Sequence, residues 1–179
     1  MNREQAFTTL LEQEKDRVYS YALHVLHHPE DAEDVVQHAF IQLWREWDHI
    51  GRDKRKRWLM QVLHNRCMDS IRSRRATGAR FLPTGQGHLE TATMTVASPL
   101  TADARLEGHD VRKVIEAGME TLPDSTRSMM VLHYFQDQPL DGIADLLRVP
   151  VGTVKAALHR GRKKLLEFVL ATCPDVVES

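Results

Sequence analysis

The sequence predicts an all-α fold of two small helical domains joined by a flexible linker. Apolar residues recur at helical spacings along most of the 179 residues, and no stretch alternates apolar with polar residues over a useful length. The periodicity vanishes across residues 76–109, where TGARFLPTGQGHLETATMTVASPLTADA is rich in Gly, Thr and Pro. A structureless run of about thirty residues is too long for a loop inside one compact domain. The chain length suits one ordinary domain or two small ones. With 42% hydrophobic and 27% charged residues, it can bury a core and keep a polar surface.

The first domain, residues 1–75, contains three predicted helices. In residues 4–27, Phe7, Leu10, Leu11, Val18, Ala22 and Val25 form one apolar stripe. His28 and Pro29 break it, and Pro29-Glu30-Asp31 opens the next helix with proline at its start and acids in its first turn. That helix continues to Trp47, with a wide apolar face of Val35, Val36, Ala39, Phe40, Leu43, Trp44 and Trp47. A short loop, His49-Ile50-Gly51-Arg52-Asp53, leads into a helix over 54–75, where Trp58, Leu59, Val62, Leu63, Cys67 and Ile71 face inward. Amphipathic helices on short loops form a bundle. Cys67 at such a position is a small buried hydrophobe.

The second domain, residues 110–170, opens with Val111, Val114, Ile115, Gly118, Met119 and Leu122 on one helix. Pro123-Asp124 starts another, carrying Met129, Met130, Leu132, His133 and Phe135. After a loop over 136–139, two short helices are expected over 140–147 and 152–169, and the tail 171–179 is expected to fray. The last pair reads as a helix-turn-helix. Ala144 is small enough for close packing, Val154 follows ten positions later, and Ile143, Leu147 and Leu158 complete a small core. Pro150 cannot continue the first helix, and Gly152-Thr153 begins the second. Arg148 occupies the turn position that favours glycine for its positive φ, a cost of about 1 kcal/mol. In return it offers a cation to a phosphate. A second helix of this kind lies in a DNA major groove. Thr153, Lys155, Ala156 and His159 are then candidates for base edges, and Arg160, Arg162, Lys163 and Lys164 for phosphates.

The net charge of −1 hides a pattern. Residues 51–80 hold ten Lys or Arg against Asp53 and Asp69, a balance of +8, and residues 148–164 hold six with no acid, +6. The remainder is left at −15. Two basic islands in an acidic chain suggest two contacts with a polyanion and an acidic surface kept for another partner. No apolar run is long enough to span a membrane. The start, MNREQAFTTLLEQEKDR, has no apolar core of a secretion signal. Cys67 and Cys173, far apart, fit reduced thiols, so a cytoplasmic address without membrane insertion is expected. His24 and His28 have a spacing that can share a metal, but no third ligand stands at motif spacing. No nucleophile–base pair, phosphate loop or paired-acid site appears either. The expectation is a protein that is not an enzyme and uses no cofactor or metal. A stand-alone helix-turn-helix regulator that binds DNA as a dimer fits the second domain equally well.

The first domain narrows this choice. DAEDVVQHAFIQLWREW, then RWLMQVLHNRCMDSIRSRR, then LP-x(3)-R ahead of the helix-turn-helix resemble the ECF (extracytoplasmic-function, group IV) sigma factors of the bacterial sigma-70 family. The resemblance implies two helical regions, 2 and 4, that bind core RNA polymerase and direct it to promoters, under the control of an anti-sigma factor. It places Asp31, Asp34, Gln37, Phe40, Leu43 and Trp44 against the clamp helices of the largest polymerase subunit, although Phe40 and Trp44 suit core packing better. It gives the −10 element to the loop Gly51, Arg52, Asp53 and Lys54 as a base pocket, with Arg55, Lys56, Arg66, Arg72 and Arg75 as cations for the freed strand. Trp58 either stacks on a base or packs inside. Asn65 and Asp69 either touch DNA or make structural hydrogen bonds. Region 4 would read the −35 element, with Arg148 among its contacts, and pack on the flap of the second-largest subunit. The linker would thread the RNA-exit path. The chain departs from the family pattern at His38, Gly142, Ala156-Ala157 and Gly161, which leaves the promoter sequence open.

Overall fold

Asn2 fixes where the first helix begins. Its side chain accepts from the Glu4 amide at 2.6 Å while the Gln5 side chain accepts from the Asn2 amide at 3.2 Å, a reciprocal cap. The computed structural model of the chain describes residues 2–77 and 104–173, with side chains from residue 111 onward in the second segment. Helix α1 (Arg3–Leu26) ends on His27, which adopts φ 53° and returns its amide to the Leu23 carbonyl at 2.8 Å. Pro29 then opens α2 (Pro29–Arg45). A single 3₁₀ turn (Arg52–Lys54) leads into α3 (Arg55–Ala76).

These three helices pack as the apolar stripes require. Val18, Tyr21, Ala22 and Val25 of α1, Ala32, Ala39 and Leu43 of α2, and Leu59, Leu63 and Cys67 of α3 have no exposed surface. Phe7 meets Phe40, Trp44 and Trp47 edge-on at 5.0–6.4 Å between ring centres, the geometry aromatic quadrupoles favour. The buried Tyr21 hydroxyl lies 2.8 Å from His64 Nδ1. Burial pushes the Tyr21 phenol upward and the Cys67 thiol up to about 12, so Cys67 is inert.

The second unit comprises α4 (Ala104–Glu120), α5 (Asp124–Met130), a π turn (Val131–Phe135), α6 (Leu140–Leu147) and α7 (Val151–Thr172). Among the described residues no strand occurs. Gly161 has a packing reason: a Cβ there would stand 3.0 Å from Met130 Sδ and 3.1 Å from Thr126 Cγ2. Helix α7 can therefore lie close against α5.

Several boundaries differ from expectation, among them the end of α2, which stops at Arg45 short of the predicted Trp47. Helix α4 begins at Ala104, inside the predicted linker, where Ala104, Arg105, Leu106 and Glu107 are strong helix formers. Residues 78–103 of that linker lie outside the described residues. Helix α7 runs to Thr172 and takes in the start of the predicted tail. The π turn interrupts what reads as one helix; the Gln136 amide reaches back to the Val131 carbonyl at 3.2 Å.

The two units also pack on each other. Arg127, 8% exposed, donates Nη1 to the Val25 carbonyl at the end of α1, 3.0 Å away. Its Nη2 donates to the Leu122 carbonyl and to Asp124 at 3.2 and 3.1 Å. Arg17 Nε donates to Gln136 Oε1 at 2.9 Å, and Gln136 Nε2 donates back to the Arg17 carbonyl at 3.2 Å. His24 lies over Phe135 at 4.5 Å, and His27 stands 3.6 Å from Glu120.

Burial, aided by Arg127 and His24, pushes His27 down to about 4, and burial with a lesser push from Arg72 does the same to His64. Unfolded histidine titrates near 6.5. As pH falls below that value the unfolded chain takes up protons the fold refuses, so stability present above about pH 6.5 is lost progressively toward pH 4, by at most about 1.4 kcal/mol per unit per histidine. Urea midpoints should be lower at pH 5 than at pH 7, and His64→Gln should reduce that difference.

Candidate nucleic-acid interface

The turn of the helix-turn-helix is built around Arg148. Helix α6 ends there with φ 56° and ψ 46°, the left-handed conformation expected of it, and the Val149 amide closes on the Ala144 carbonyl at 3.0 Å. Ala144, at 6% exposure, lets α7 approach, and Ile143, Val154 and Leu158 seal the contact. With that inner face filled, the outer face of α7 presents Thr153, Lys155, His159, Arg160, Arg162 and Lys163 to solvent, with Ala156 half-buried between them. Arg148 is exposed beside them. Lys163 has Glu167 at 4.0 Å, too long to hold it. Sequence predicts a phosphate contact for Lys164. In the structure its Nζ donates to the Thr121 carbonyl at 2.7 Å and ties α7 to the end of α4.

The basic island of the first unit is more engaged. Gly51, Arg52, Asp53 and Lys54 are exposed. Arg52 and Asp53 line a cleft of about 300 Å³ against Thr9, Leu10 and Trp47. Arg55 lies over the Trp47 ring at 3.7 Å and donates to the Trp47 carbonyl at 3.0 Å, so it straps the loop down. Lys56 meets the buried carboxylate of Glu14 at 2.7 Å, which Arg17 also approaches at 3.2 Å. Trp58 is half-buried against the core, which favours packing over stacking on a base. Asn65 and Arg66 are exposed; burial, then Arg66 and Arg45, hold His38 below its ordinary value. Asp69 accepts from Arg72 at 2.7 Å, and Arg75 pairs with Asp124 of the second unit at 2.7 Å. Arg57, absent from the predicted −10 set, pairs with Asp145 at 3.3 Å.

On α2, Asp34 and Gln37 are exposed as a docking face requires, while Asp31 pairs with Arg74. Leu43 has no exposed surface and is closed to a partner, whereas Phe40, turned inward with 8% exposure, still lines the groove that opens beside Ile41. Trp44 is half-buried beneath the Arg3 guanidinium, 4.2 Å from its ring centre. Sequence misses Ile41, 51% exposed, one turn beyond Gln37 on the polar side of the helix. With Phe7, Leu11 and Val36 it lines an apolar groove of about 500 Å³, rimmed by Lys15 and Arg45. An apolar residue breaking a polar stripe was the available signal.

Among the described residues no three His, Cys, Asp or Glu side chains converge on one point, and no helix is long and apolar enough to cross a membrane. His24 Nδ1 faces the Ser20 carbonyl at 2.7 Å and so serves its own helix.

Comparison with known proteins agrees with this geometry. Residues 10–77 match Sigma-70 region 2 and residues 112–165 match Sigma-70 region 4. The ECF RNA polymerase sigma factor SigW of Bacillus subtilis is 29% identical over 164 residues, 89% of this chain and 87% of that protein. The chain belongs to the ECF sigma factors. Two solved structures share the sigma fold. CnrH, in complex with the cytosolic domain of CnrY, superposes with a TM-score of 0.66 at 23% identity, covering 94% of this chain and 90% of that one. The sigma factor RpoE of Bartonella quintana, in complex with the anti-sigma factor NepR, gives 0.67 at 19%, covering 91% and 96%.

The turn makes a two-signed forecast for this sigma factor. Arg148→Gly should raise unfolding stability by about 1 kcal/mol by relieving the left-handed residue, yet weaken duplex binding through the lost cation. Calorimetry and a binding titration on one preparation would check both. Arg162→Ala should flatten the slope of log affinity against log salt by about one unit. Lys164→Ala should lower thermal stability and leave that slope unchanged.

Proposed function

We propose that this ECF sigma factor, of group IV, works in the cytoplasm by binding core RNA polymerase and reading a promoter at two places. The observation that carries the reading is the outer face of α7, where exposed cations flank Thr153, Ala156 and His159 on a helix held by a left-handed turn. Arg148, Arg160, Arg162 and Lys163 suit phosphates, and Thr153, Lys155, Ala156 and His159 suit base edges of the −35 element. The 3₁₀ loop with its cleft, together with Arg52, Lys54, Arg66, Arg72 and Arg75, suits the −10 element and its freed strand. Arg55 and Lys56 support this surface from below. Asp34, Gln37 and the groove at Ile41 form the face for the clamp helices of the largest subunit, and the second unit meets the flap of the second-largest. No catalytic step or cofactor belongs to the chain in this reading.

Regulation follows the structural relatives, whose partners include an anti-sigma factor. A protein of that kind would hold this chain inactive by covering the surfaces just described. Added to bacterial core polymerase and a library of promoter fragments, the chain should yield run-off transcripts that stop when Arg162 and Lys163 are both replaced by alanine. Tight binding to a palindromic duplex with no transcript would instead establish a dimeric DNA-binding regulator.

A further inference from the structure

Of the two alanines at 156 and 157, the fold explains one. Ala157, 3% exposed, belongs to the core that joins α7 to the rest of the second unit. Ala156 is half-buried and packs against none of that core. Successive residues of a helix lie about 100° apart. Val154, Ala157, Leu158 and Gly161 mark the buried line of α7, so the line opposite passes through Gly152, Ala156, His159 and Lys163. Thr153, Lys155, Arg160 and Arg162 flank it, all exposed. Between Gly152 and Lys163, Ala156 is therefore the one apolar side chain on the outward face. Helix formation does not select it there, since Lys, Arg, Gln and Glu form helices nearly as well. Gly152 departs in the same sense. A Cβ there would meet nothing within 4 Å, so packing does not require glycine, and glycine is a poor helix residue. Both positions keep the middle of the face low while longer side chains stand around it.

A helix laid in the major groove brings its outermost line nearest the base edges. A methyl group has no hydrogen bond to offer. The apolar group on a major-groove edge is the C5-methyl of thymine, and the other features that distinguish the bases there are donors and acceptors. Setting the Ala156 methyl against one of those would strip it of water without giving it a partner. Resting on the function proposed above, we infer that Ala156 is a specificity-determining residue whose Cβ meets the C5-methyl of one thymine in the −35 element. The absent side chain at Gly152 lets the start of α7 approach closely enough for that contact. The flanking cations hold the helix at that depth through phosphates. Thymine at this one position is read by apolar contact, without a hydrogen bond.

The test uses holoenzyme assembled from the full chain and bacterial core polymerase to select promoter fragments randomised over the upstream element. The chain alone is put through the same selection. Each thymine of the selected element is then replaced in turn by deoxyuridine, which lacks only the methyl group, and affinity is measured by competition. At one position affinity should fall about fourfold, the worth of one buried methyl group. Ala156→Gly should bring the ratio of thymine to uracil affinity at that position to one. The ratio is taken within each variant, so any loss of folded protein cancels. Ala156→Gln, with an amide that suits adenine, should abolish the preference for thymine there and leave the other positions unchanged. Deoxyuridine tolerated at every position, or a ratio that persists in Ala156→Gly, would overturn the inference. Fragments retained by the chain alone and not by holoenzyme would overturn the sigma reading, and the same ratio on those fragments would still decide the role of Ala156.

Discussion

A buried guanidinium organises this molecule. Arg127, in α5, gathers the Leu122 carbonyl and the Asp124 carboxylate with Nη2 and donates Nη1 to the last turn of α1, while its buried Nε meets no acceptor. A charge so enclosed is costly, and each N–H group that meets an acceptor offsets part of that cost. The end of α1 supplies one because a helix terminus leaves carbonyls without partners inside the helix. His27, in its left-handed conformation, turns the chain away at that point and leaves Val25 accessible to Arg127. The local end of one helix thus becomes the docking point for residues 102 positions away.

Around that fixed point each unit solves a different packing problem. The first is an ordinary three-helix bundle whose aromatic corner, Phe7 with Trp44 and Trp47, also seats the arginines Arg3 and Arg55. Those two cations are consumed by structure, which leaves the loop they brace to meet a ligand. The second must hold α7 by one face so that the other stays free. It does so with small residues at the closest approaches, Ala144, Ala157 and Gly161, and accepts an unfavourable backbone at Arg148 where a cation is useful.

Much of this was legible in the residues. The stripes on α1, α2 and α3 predict the bundle because an amphipathic helix has one way to hide its apolar side. The Ala144–Val154 spacing and the turn at Arg148 predict the helix-turn-helix geometry down to the sign of φ. What sequence could not show was partner choice. Lys56 reads as a free cation because Glu14 lies forty-two positions earlier and meets it only in the folded bundle. Leu43 and Ile41 sit two residues apart, about 200° around the helix, so the stripe that buries Leu43 leaves Ile41 exposed among polar residues, and what would cover Ile41 carries no signal in the chain. Arg127 stands in the recognised LP-x(3)-R motif, yet its partner in the first unit is a backbone carbonyl, which carries no side-chain signature. The packing of the two units on each other was hidden for the same reason.

The π turn at Val131–Phe135 extends this thought. A helix that admits one surplus residue slips in phase by about 100° for everything downstream. Excising a single residue there would restore an unbroken α-helix and swing α6 and α7 to a new azimuth. The cations of the last helix would then point elsewhere with their own local contacts untouched. The aim of the basic outer face is thus stored in a counting irregularity some fifteen residues upstream of the helix it directs.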